Sequence, residues 1–131
     1  MEENRIYAVV AEVISTARGK VTQPSGRQVA QACHAVSKLR HEQHPTNFHV
    51  TAVSFGKNQF EPITTIILQA RDSAEMSHVY SLLLKKKSAP VIFQDINPEY
   101  GLGSFPTAIA VFANKKQISG ILDYLPLWGS K

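Results

Sequence analysis

One stretch of the sequence spaces four polar side chains so that they would share one face of a helix. Successive helical residues advance by about 100°, so separations of four, three and four residues give a stripe roughly 60° wide. The side chains at this spacing are Arg27, Gln31, His34 and Lys38. Such a stripe is typical of the solvent side of any amphipathic helix. The alternative is a binding face, because Arg27 would lie in the first turn, where free backbone amides and a cation can converge on an anion.

A single carboxylate follows a predicted strand at the place where α/β proteins commonly bind ligands. Asp95 comes directly after the short run from Pro90 to Phe93 and Gln94, and it opens a loop that contains Gly101-Leu102-Gly103. Ligands in α/β sheets sit beyond the carboxyl ends of strands, so a working carboxylate is expected here. Asp95 has an equally good alternative role as the cap of a turn. The glycine pair predicts only a flexible turn, since a dinucleotide fingerprint would open a helix and carry a third glycine.

Metal and nucleophile chemistry have little support in the sequence. Three histidines cluster between positions 41 and 49, but only Glu42 stands near them as a further ligand, so no metal site is expected. Cys33 and His34 would point about 100° apart on a helix and cannot form a nucleophile and base pair. Cys33 is instead expected in the core. No G-x-S-x-G, P-loop or H-E-x-x-H motif occurs, and no cofactor is implied.

The composition is that of one ordinary globular domain covering residues 1–131, with 44% hydrophobic and 18% charged residues. The apolar runs are far shorter than the roughly 20 residues that cross a bilayer, so no membrane span is expected. The acidic start of the chain does not resemble an export signal, and a lone cysteine suits a reducing compartment. We therefore expect a cytoplasmic location.

A basic balance permits an anionic partner. Fourteen Lys and Arg residues against ten Asp and Glu give a formal net charge of +4, which is compatible with nucleic acid but does not require it. The run Lys85, Lys86 and Lys87 falls at the predicted end of a helix, where cations suit the helix dipole. The same three side chains would also suit phosphate contacts.

The elements that must position these residues follow from hydrophobic periodicity and capping signals. Strands are expected at 6–14, 63–70, 90–93 and 107–112, with an ambiguous extra strand within 48–56 and a loop at 15–24. Helices are expected at about 26–42, from 73 to the lysine run, and at about 115–122, each preceded by capping-box spacing at Ser25, Asp72 and Asn114. The side chains expected to turn the first helix toward the sheet are Val29, Ala32, Cys33, Val36 and Leu39. This order predicts an α/β fold, with a mixed sheet of about four strands and helices on both faces.

Residues 26–35, G-R-Q-V-A-Q-A-C-H-A, resemble the signature G-K-x-A-A-Q-x-S-H-A of the type 2 peptidyl-tRNA hydrolase family. The match follows a first strand, as it does in that family. Asp95 resembles the aspartate of the family's D-x-G-x-T loop motif, and Thr107 resembles the last threonine of its G-T-x-T motif. Residues 108–111 are similar to the closing apolar strand. The resemblance covers nearly the whole chain, apart from 48–61, which has no counterpart.

The resemblance implies hydrolysis, without a metal, of the ester that joins a peptide to the terminal ribose of tRNA. It also suggests a homodimer. That reaction needs a positioned water, a group that orients it and a donor for the oxyanion. By this resemblance Asp95 would orient the water, Arg27 would stabilise the oxyanion or a phosphate, and Thr107 would hydrogen-bond at the ester. The expected substrate contacts are Gln31, His34, Lys38, Glu99, Lys85, Lys86 and Lys87.

The chain departs from the family pattern at three positions. Arg27 stands where the family has its lysine, and Glu99 and Phe105 stand where it has threonines. Arginine does not deprotonate, so a mechanism that needs a neutral amine would be lost, whereas a role for a fixed cation would survive. Three functions stay open from the sequence: an active peptidyl-tRNA hydrolase with a modified site, a non-catalytic relative that binds tRNA or another RNA, and a hydrolase of another small ester or amide.

Overall fold

The computed structural model describes residues 4–43 and 64–130 and confirms the α/β fold. Within these ranges the chain forms five strands, three α-helices and a short 3-10 helix. In chain order they are β1 (Arg5–Thr16), β2 (Gly19–Thr22), α1 (Ser25–Gln43), β3 (Thr65–Asp72), α2 (Ser73–Lys85), β4 (Val91–Asp95), the 3-10 helix (Pro98–Tyr100), β5 (Phe105–Ala113) and α3 (Lys115–Ile118). The predicted strand within 48–56 lies outside the described residues.

The sheet is mixed and is built around β1. β3 pairs with β1 in parallel, with Val10 opposite Gln69, and β5 pairs antiparallel along the other side, with Val10 opposite Ala108. β4 adds antiparallel to β5, which gives the order β3-β1-β5-β4. The fifth strand, β2, forms a hairpin with the end of β1, through a turn in which Gly19 has φ +100°. β2 lies within the segment that the sequence predicted as a loop.

Both faces of the sheet carry a core, as the sequence predicted. On one face Ile6 and Val10 of β1 pack with Leu39 of α1. On the other face Val9 packs with Met76 of α2, together with side chains from α3 and the segment after it. β1 is therefore apolar without alternation from Ile6 to Ala11, because helices cover it from both sides.

α1 turns a different face to the sheet than its apolar residues suggested. Ala32 and Leu39 are buried as expected, but Cys33 is exposed and Val29 is 37% exposed. Gln28 and Gln31 are buried in their place. A buried amide side chain is stable where it is hydrogen-bonded to other groups of the protein. Both glutamines have such hydrogen bonds. Among the described residues no helix, α1 included, is long and apolar enough to cross a membrane.

The helix ends follow the capping signals to different degrees. The predicted capping box of Asn114 and Gln117 is confirmed, although α3 ends at Ile118, well before the predicted end. At α2 the side chain of Asp72 accepts from the backbone N–H of Glu75, but the Glu75 carboxylate bonds to the backbone of Arg71 instead of closing the box. The capping box predicted from Ser25 does not form. Its fourth residue is Gln28, whose side chain is buried and bonds to Gln69 and Trp128 instead.

Candidate functional site

The polar stripe of α1 lies over β4 and the loop that follows it. Nζ of Lys38 donates to the backbone carbonyl of Ile92 at 2.7 Å, and the His34 ring stacks on Phe93 with ring centroids 4.9 Å apart. Farther toward the start of α1, Gln31 reaches the end of β4. The stripe therefore tracks β4 from its start to its end. The spacing argument identified a real face of the helix, and that face contacts protein rather than water alone.

Gln31 joins the two residues that the loop and strand motifs singled out. Its Nε2 donates to Oδ2 of Asp95 at 3.2 Å, and its Oε1 accepts from Oγ1 of Thr107 at 3.1 Å. Gln31 is 4% exposed and Thr107 is fully buried, whereas Asp95 is half-buried. The two bonds together fix the orientation of the Gln31 amide, since its donor and its acceptor are both specified. Asp95 keeps its other oxygen, Oδ1, without a hydrogen bond from the described residues.

A β-bulge places Thr107 against α1. Between β4 and β5 the register pairs Phe93 with Ala108 and then Gln94 with Pro106, so Thr107 is the extra residue, although its hydroxyl also lies 3.5 Å from the Phe93 carbonyl oxygen. The extra residue of a bulge re-aims its side chain relative to the alternation of the strand. The hydroxyl of Thr107 therefore meets Gln31.

Arg27 is held by a residue that the sequence analysis did not single out. Its Nη1 donates to the hydroxyl of Tyr100 at 2.7 Å, and its guanidinium carbon lies 5.6 Å from the centre of the Tyr100 ring. This hydrogen bond and the electrostatic interaction with the same phenol raise the pKa of Arg27 above its ordinary value, and the carboxylates of Glu99 and Asp95 act in the same direction. Arg27 is thus a fixed cation in the electrostatic field of Asp95.

The turn after β4 sets Tyr100 in place. Oδ1 of Asn97 accepts from the backbone N–H of Glu99 at the start of the 3-10 helix, and Gly101 ends the helix with φ +95°. A Cβ on Gly101 would lie 2.8 Å from the Cβ of Ala17 in the β1–β2 turn, so glycine is required there. Tyr100 is 2% exposed and meets Phe105 edge to face. The sequence analysis identified this turn only through its glycines, and they do not point to the phenol.

Other residues predicted for the site are not gathered there. Lys85, Lys86 and Lys87 are exposed and precede β4, whereas Asp95 ends it. The length of β4 separates them by roughly 13 Å, and α2 packs on the sheet face opposite α1. Glu99 is exposed on the 3-10 helix, and its contribution to the site is the charge that helps to raise the pKa of Arg27. Residues 4–43 and 64–130 contain no group of three His, Cys, Asp or Glu side chains that could hold a metal ion.

Together these residues form one candidate site, which has a fixed cation at Arg27 and a carboxylate at Asp95 with one oxygen unbonded. Gln31 hydrogen-bonds to Asp95, and Tyr100 accepts a hydrogen bond from Arg27. A carboxylate with a free oxygen can orient a water molecule and take its proton, and a neighbouring guanidinium can stabilise an oxyanion or a phosphate. The arrangement is suited to attack of water on a carbonyl carbon.

Comparison with known proteins places the fold but no activity. No family model matches the chain, and no curated protein matches it. Among solved structures, a protein of unknown function from Agrobacterium tumefaciens str. C58 is similar, with a TM-score of 0.60 and 8% sequence identity. The similarity covers 97% of this chain and 98% of that one. At this identity the two proteins share the fold alone, and function must be argued from the site.

Proposed function

We propose that the protein hydrolyses the ester bond of peptidyl-tRNA with a modified site in which Arg27 replaces the family lysine. One observation carries the proposal: Gln31 hydrogen-bonds to both Asp95 and Thr107. These three residues come from α1, β4 and β5, and they belong to the three separate motifs that resemble type 2 peptidyl-tRNA hydrolases. A chance resemblance in sequence gives no reason for the matching residues to touch.

Asp95 is the group that handles water in this proposal. Gln31 holds Oδ2, so Oδ1 accepts a hydrogen bond from the attacking water and receives its proton as the oxygen adds to the ester carbon. The tetrahedral intermediate collapses by breaking the bond to the ribose oxygen. That oxygen takes the proton back as it leaves, so peptide and free tRNA are released and Asp95 returns to its carboxylate form.

Arg27 supplies the charge that the tetrahedral intermediate needs. Tyr100 occupies Nη1, and the remaining N–H groups of the guanidinium are available to the oxyanion or to a phosphate oxygen. A guanidinium stays charged throughout, so it acts as a donor and not as a base. Thr107 is fully buried and its hydroxyl donates to Gln31, so we assign it the positioning of Gln31 in place of a direct hydrogen bond to the ester.

The remaining expectations belong to the same proposal. The net charge of +4 would attract the tRNA backbone, with exposed Lys85, Lys86 and Lys87 as phosphate contacts away from the ester. A reducing cytoplasm suits an exposed Cys33 in a chain with no second cysteine. The resemblance adds a homodimer, which sedimentation showing a monomer throughout the micromolar range would contradict.

A second candidate function is a non-catalytic relative that binds tRNA or another RNA. The Arg27–Tyr100 hydrogen bond suits this function, because a guanidinium held in place can bind a phosphate without any proton transfer. Under this function Arg27 binds a phosphate, and Asp95 serves only as the hydrogen-bond acceptor of Gln31.

One assay separates these functions from a hydrolase of other small esters. N-acetyl-aminoacyl-tRNA is incubated with the purified protein, and peptide release is measured beside tRNA binding and beside hydrolysis of a nitrophenyl ester. Release together with salt-dependent binding supports the proposal. Binding without release would leave the RNA-binding function, and nitrophenyl ester hydrolysis without tRNA binding would leave the third function.

A further inference from the structure

A pocket of about 280 Å³ lies on the other side of α1 from the candidate site. Its walls come from the first turns of α1, from β1, from β3 and from the segment that follows α3. The lining residues are Glu12, Ser25, Gln28, Gln69, Trp128 and Gly129. Pockets for drug-sized ligands usually measure ~300 to 1,000 Å³, so this one suits a ligand no larger than a nucleoside.

The pocket is preformed by a hydrogen-bonded cluster around Gln28. Oε1 of Gln28 accepts from Nε2 of Gln69 at 2.8 Å and from the indole Nε1 of Trp128 at 3.0 Å, while its Nε2 donates to the carbonyl of Gln23. The Trp128 backbone also donates to Ile67 of β3. The indole ring is therefore fixed at both its backbone and its nitrogen, which lowers the entropy lost when a flat ligand stacks on it.

Gln69 presents unused hydrogen-bonding groups to this pocket. It is 8% exposed, and within the described residues neither its Oε1 nor its second N–H has a partner. A buried amide with an open acceptor and donor side by side matches a ligand edge that offers a donor beside an acceptor. Adenine offers such an edge, since its N6 amino group lies next to N7, and glutamine is a common partner for that edge.

The other walls narrow the ligand class further. The described lining residues include no Lys, Arg or His, so none of them offers a cation to a phosphate. The Glu12 carboxylate suits the hydroxyls of a ribose, as acidic residues do in dinucleotide sites. Unpaired bases in proteins typically stack on an aromatic side chain while their edges are hydrogen-bonded.

We propose that this pocket binds one adenosine unit, with the base stacked on Trp128, its N6 edge on Gln69 and its ribose toward Glu12. The source is either free adenosine or an unpaired adenosine of an RNA other than the ester-bearing nucleotide at Asp95, since both present the same base and sugar. The inference does not depend on hydrolysis at Asp95.

Trp128 is the only tryptophan in the chain, so its fluorescence reports on this pocket alone. Titration with adenosine is expected to quench the fluorescence saturably, with calorimetry as an independent readout. Uridine, guanosine and N6,N6-dimethyladenosine should each bind about tenfold more weakly, because each loses the N6 donor. Saturation is expected to weaken also with 2′,3′-dideoxyadenosine. No saturable change with adenosine, or equal binding of uridine and the dimethyl compound, would overturn the proposal.

Variants and short RNAs complete the test. Gln69→Leu preserves volume and removes the reading edge, so adenosine affinity should fall about tenfold, whereas Gln94→Leu on the exposed edge strand β4 should leave it unchanged. Unchanged affinity in a folded Gln69→Leu protein would contradict the assignment. A short single-stranded RNA with one internal adenosine that binds more tightly than free adenosine, and than the same RNA with cytidine at that position, supports RNA as the source. Equal binding of adenosine by itself and within RNA supports the free nucleoside.

Discussion

Nε2 of Gln31 lies 3.2 Å from Oδ2 of Asp95, a contact between residues 64 positions apart in the chain. The same amide accepts from Thr107, so one buried side chain orients a carboxylate on β4 and a hydroxyl on β5. The carboxylate is available for water because its second oxygen faces away from this contact. Gln31 is therefore the structural centre of the site, although it need not touch substrate.

Replacing Gln31 by leucine should damage both stability and turnover. Gln31→Leu preserves volume but leaves the fully buried Thr107 hydroxyl only the Phe93 carbonyl oxygen, 3.5 Å away, as an acceptor, which costs about 1 kcal/mol of unfolding free energy. Asp95 loses its orienting donor, so peptide release should fall at least about tenfold. Denaturant unfolding and the peptidyl-tRNA assay measure the two effects. An unchanged rate in a folded variant would remove Gln31 from the account.

Gln31→Glu serves as the charged counterpart and adds a pH dependence. The introduced carboxylate would face Asp95 at the distance of the present hydrogen bond, and a like charge so close raises the pKa of the introduced group above its unfolded value of about 4. A raised folded pKa makes the loss of stability relative to wild type largest above about pH 5 and smallest as the pH falls below about 4. Thermal melts of both proteins across that range should converge at acid pH. A constant difference would show that the two side chains do not meet.

Arg27 and Tyr100 should behave as one unit. Removing the guanidinium with Arg27→Ala should lower kcat by about a hundredfold or more, as loss of an oxyanion donor does. Tyr100→Phe leaves the charge but frees its orientation, so its effect should be smaller and confined to kcat, with KM unchanged. In the double variant, Tyr100→Phe should add little to Arg27→Ala. Full additivity of the two effects would show that Tyr100 does not act through Arg27.

Replacing Gly101 should lower the stability of the protein far more than replacing Gly103. Both Gly101 and Gly103 have positive φ, at +95° and +101°, so alanine strains either by about 1–2 kcal/mol. Only at Gly101 would the new Cβ meet Ala17, at 2.8 Å. Gly101→Ala should therefore lower Tm more than Gly103→Ala and should also reduce activity by displacing Tyr100. Equal shifts in Tm for the two variants would count against this packing.

The lysine run after α2 can be tested through salt dependence. If Lys85 and Lys86 contact tRNA phosphates, replacing both by alanine should flatten the slope of log K against log salt by roughly 1.5–2. The matched control is the double replacement of Lys115 and Lys116, two exposed cations on α3. Equal slopes for the two double variants would show that these lysines attract tRNA only through net charge.

The sequence was most informative where local rules decide the outcome. Strand β1, the polar stripe of α1 and the Asn114 cap follow from periodicity and short-range hydrogen bonding, and all were predicted. The site residues Arg27 and Asp95 also came from motif positions, and the structure puts them in one electrostatic field. Whether they perform hydrolysis stays a prediction.

The features that were missed depend on partners distant in the chain. Gln28 is buried because Gln69 and Trp128 donate to it, and no pattern within α1 signals those contacts. Cys33 is exposed for the same reason. The face of α1 that carries Gln28 and Gln31 lies against the sheet, in place of the face that carries Cys33. The bulge at Thr107 depends on how β5 pairs with β4. The position of Tyr100 depends on a turn that packs against the β1–β2 hairpin. Propensity alone does not determine such tertiary choices.

The central claim is tested most directly by peptide release from N-acetyl-aminoacyl-tRNA, with wild type compared with Asp95→Asn. The control is Asp123→Asn, which alters an exposed carboxylate that only caps a turn. The account predicts turnover by the wild type and by the Asp123 variant, with loss of about a hundredfold or more in Asp95→Asn at unchanged tRNA binding. Equal turnover by wild type and Asp95→Asn, or no turnover by folded wild-type protein, would contradict it.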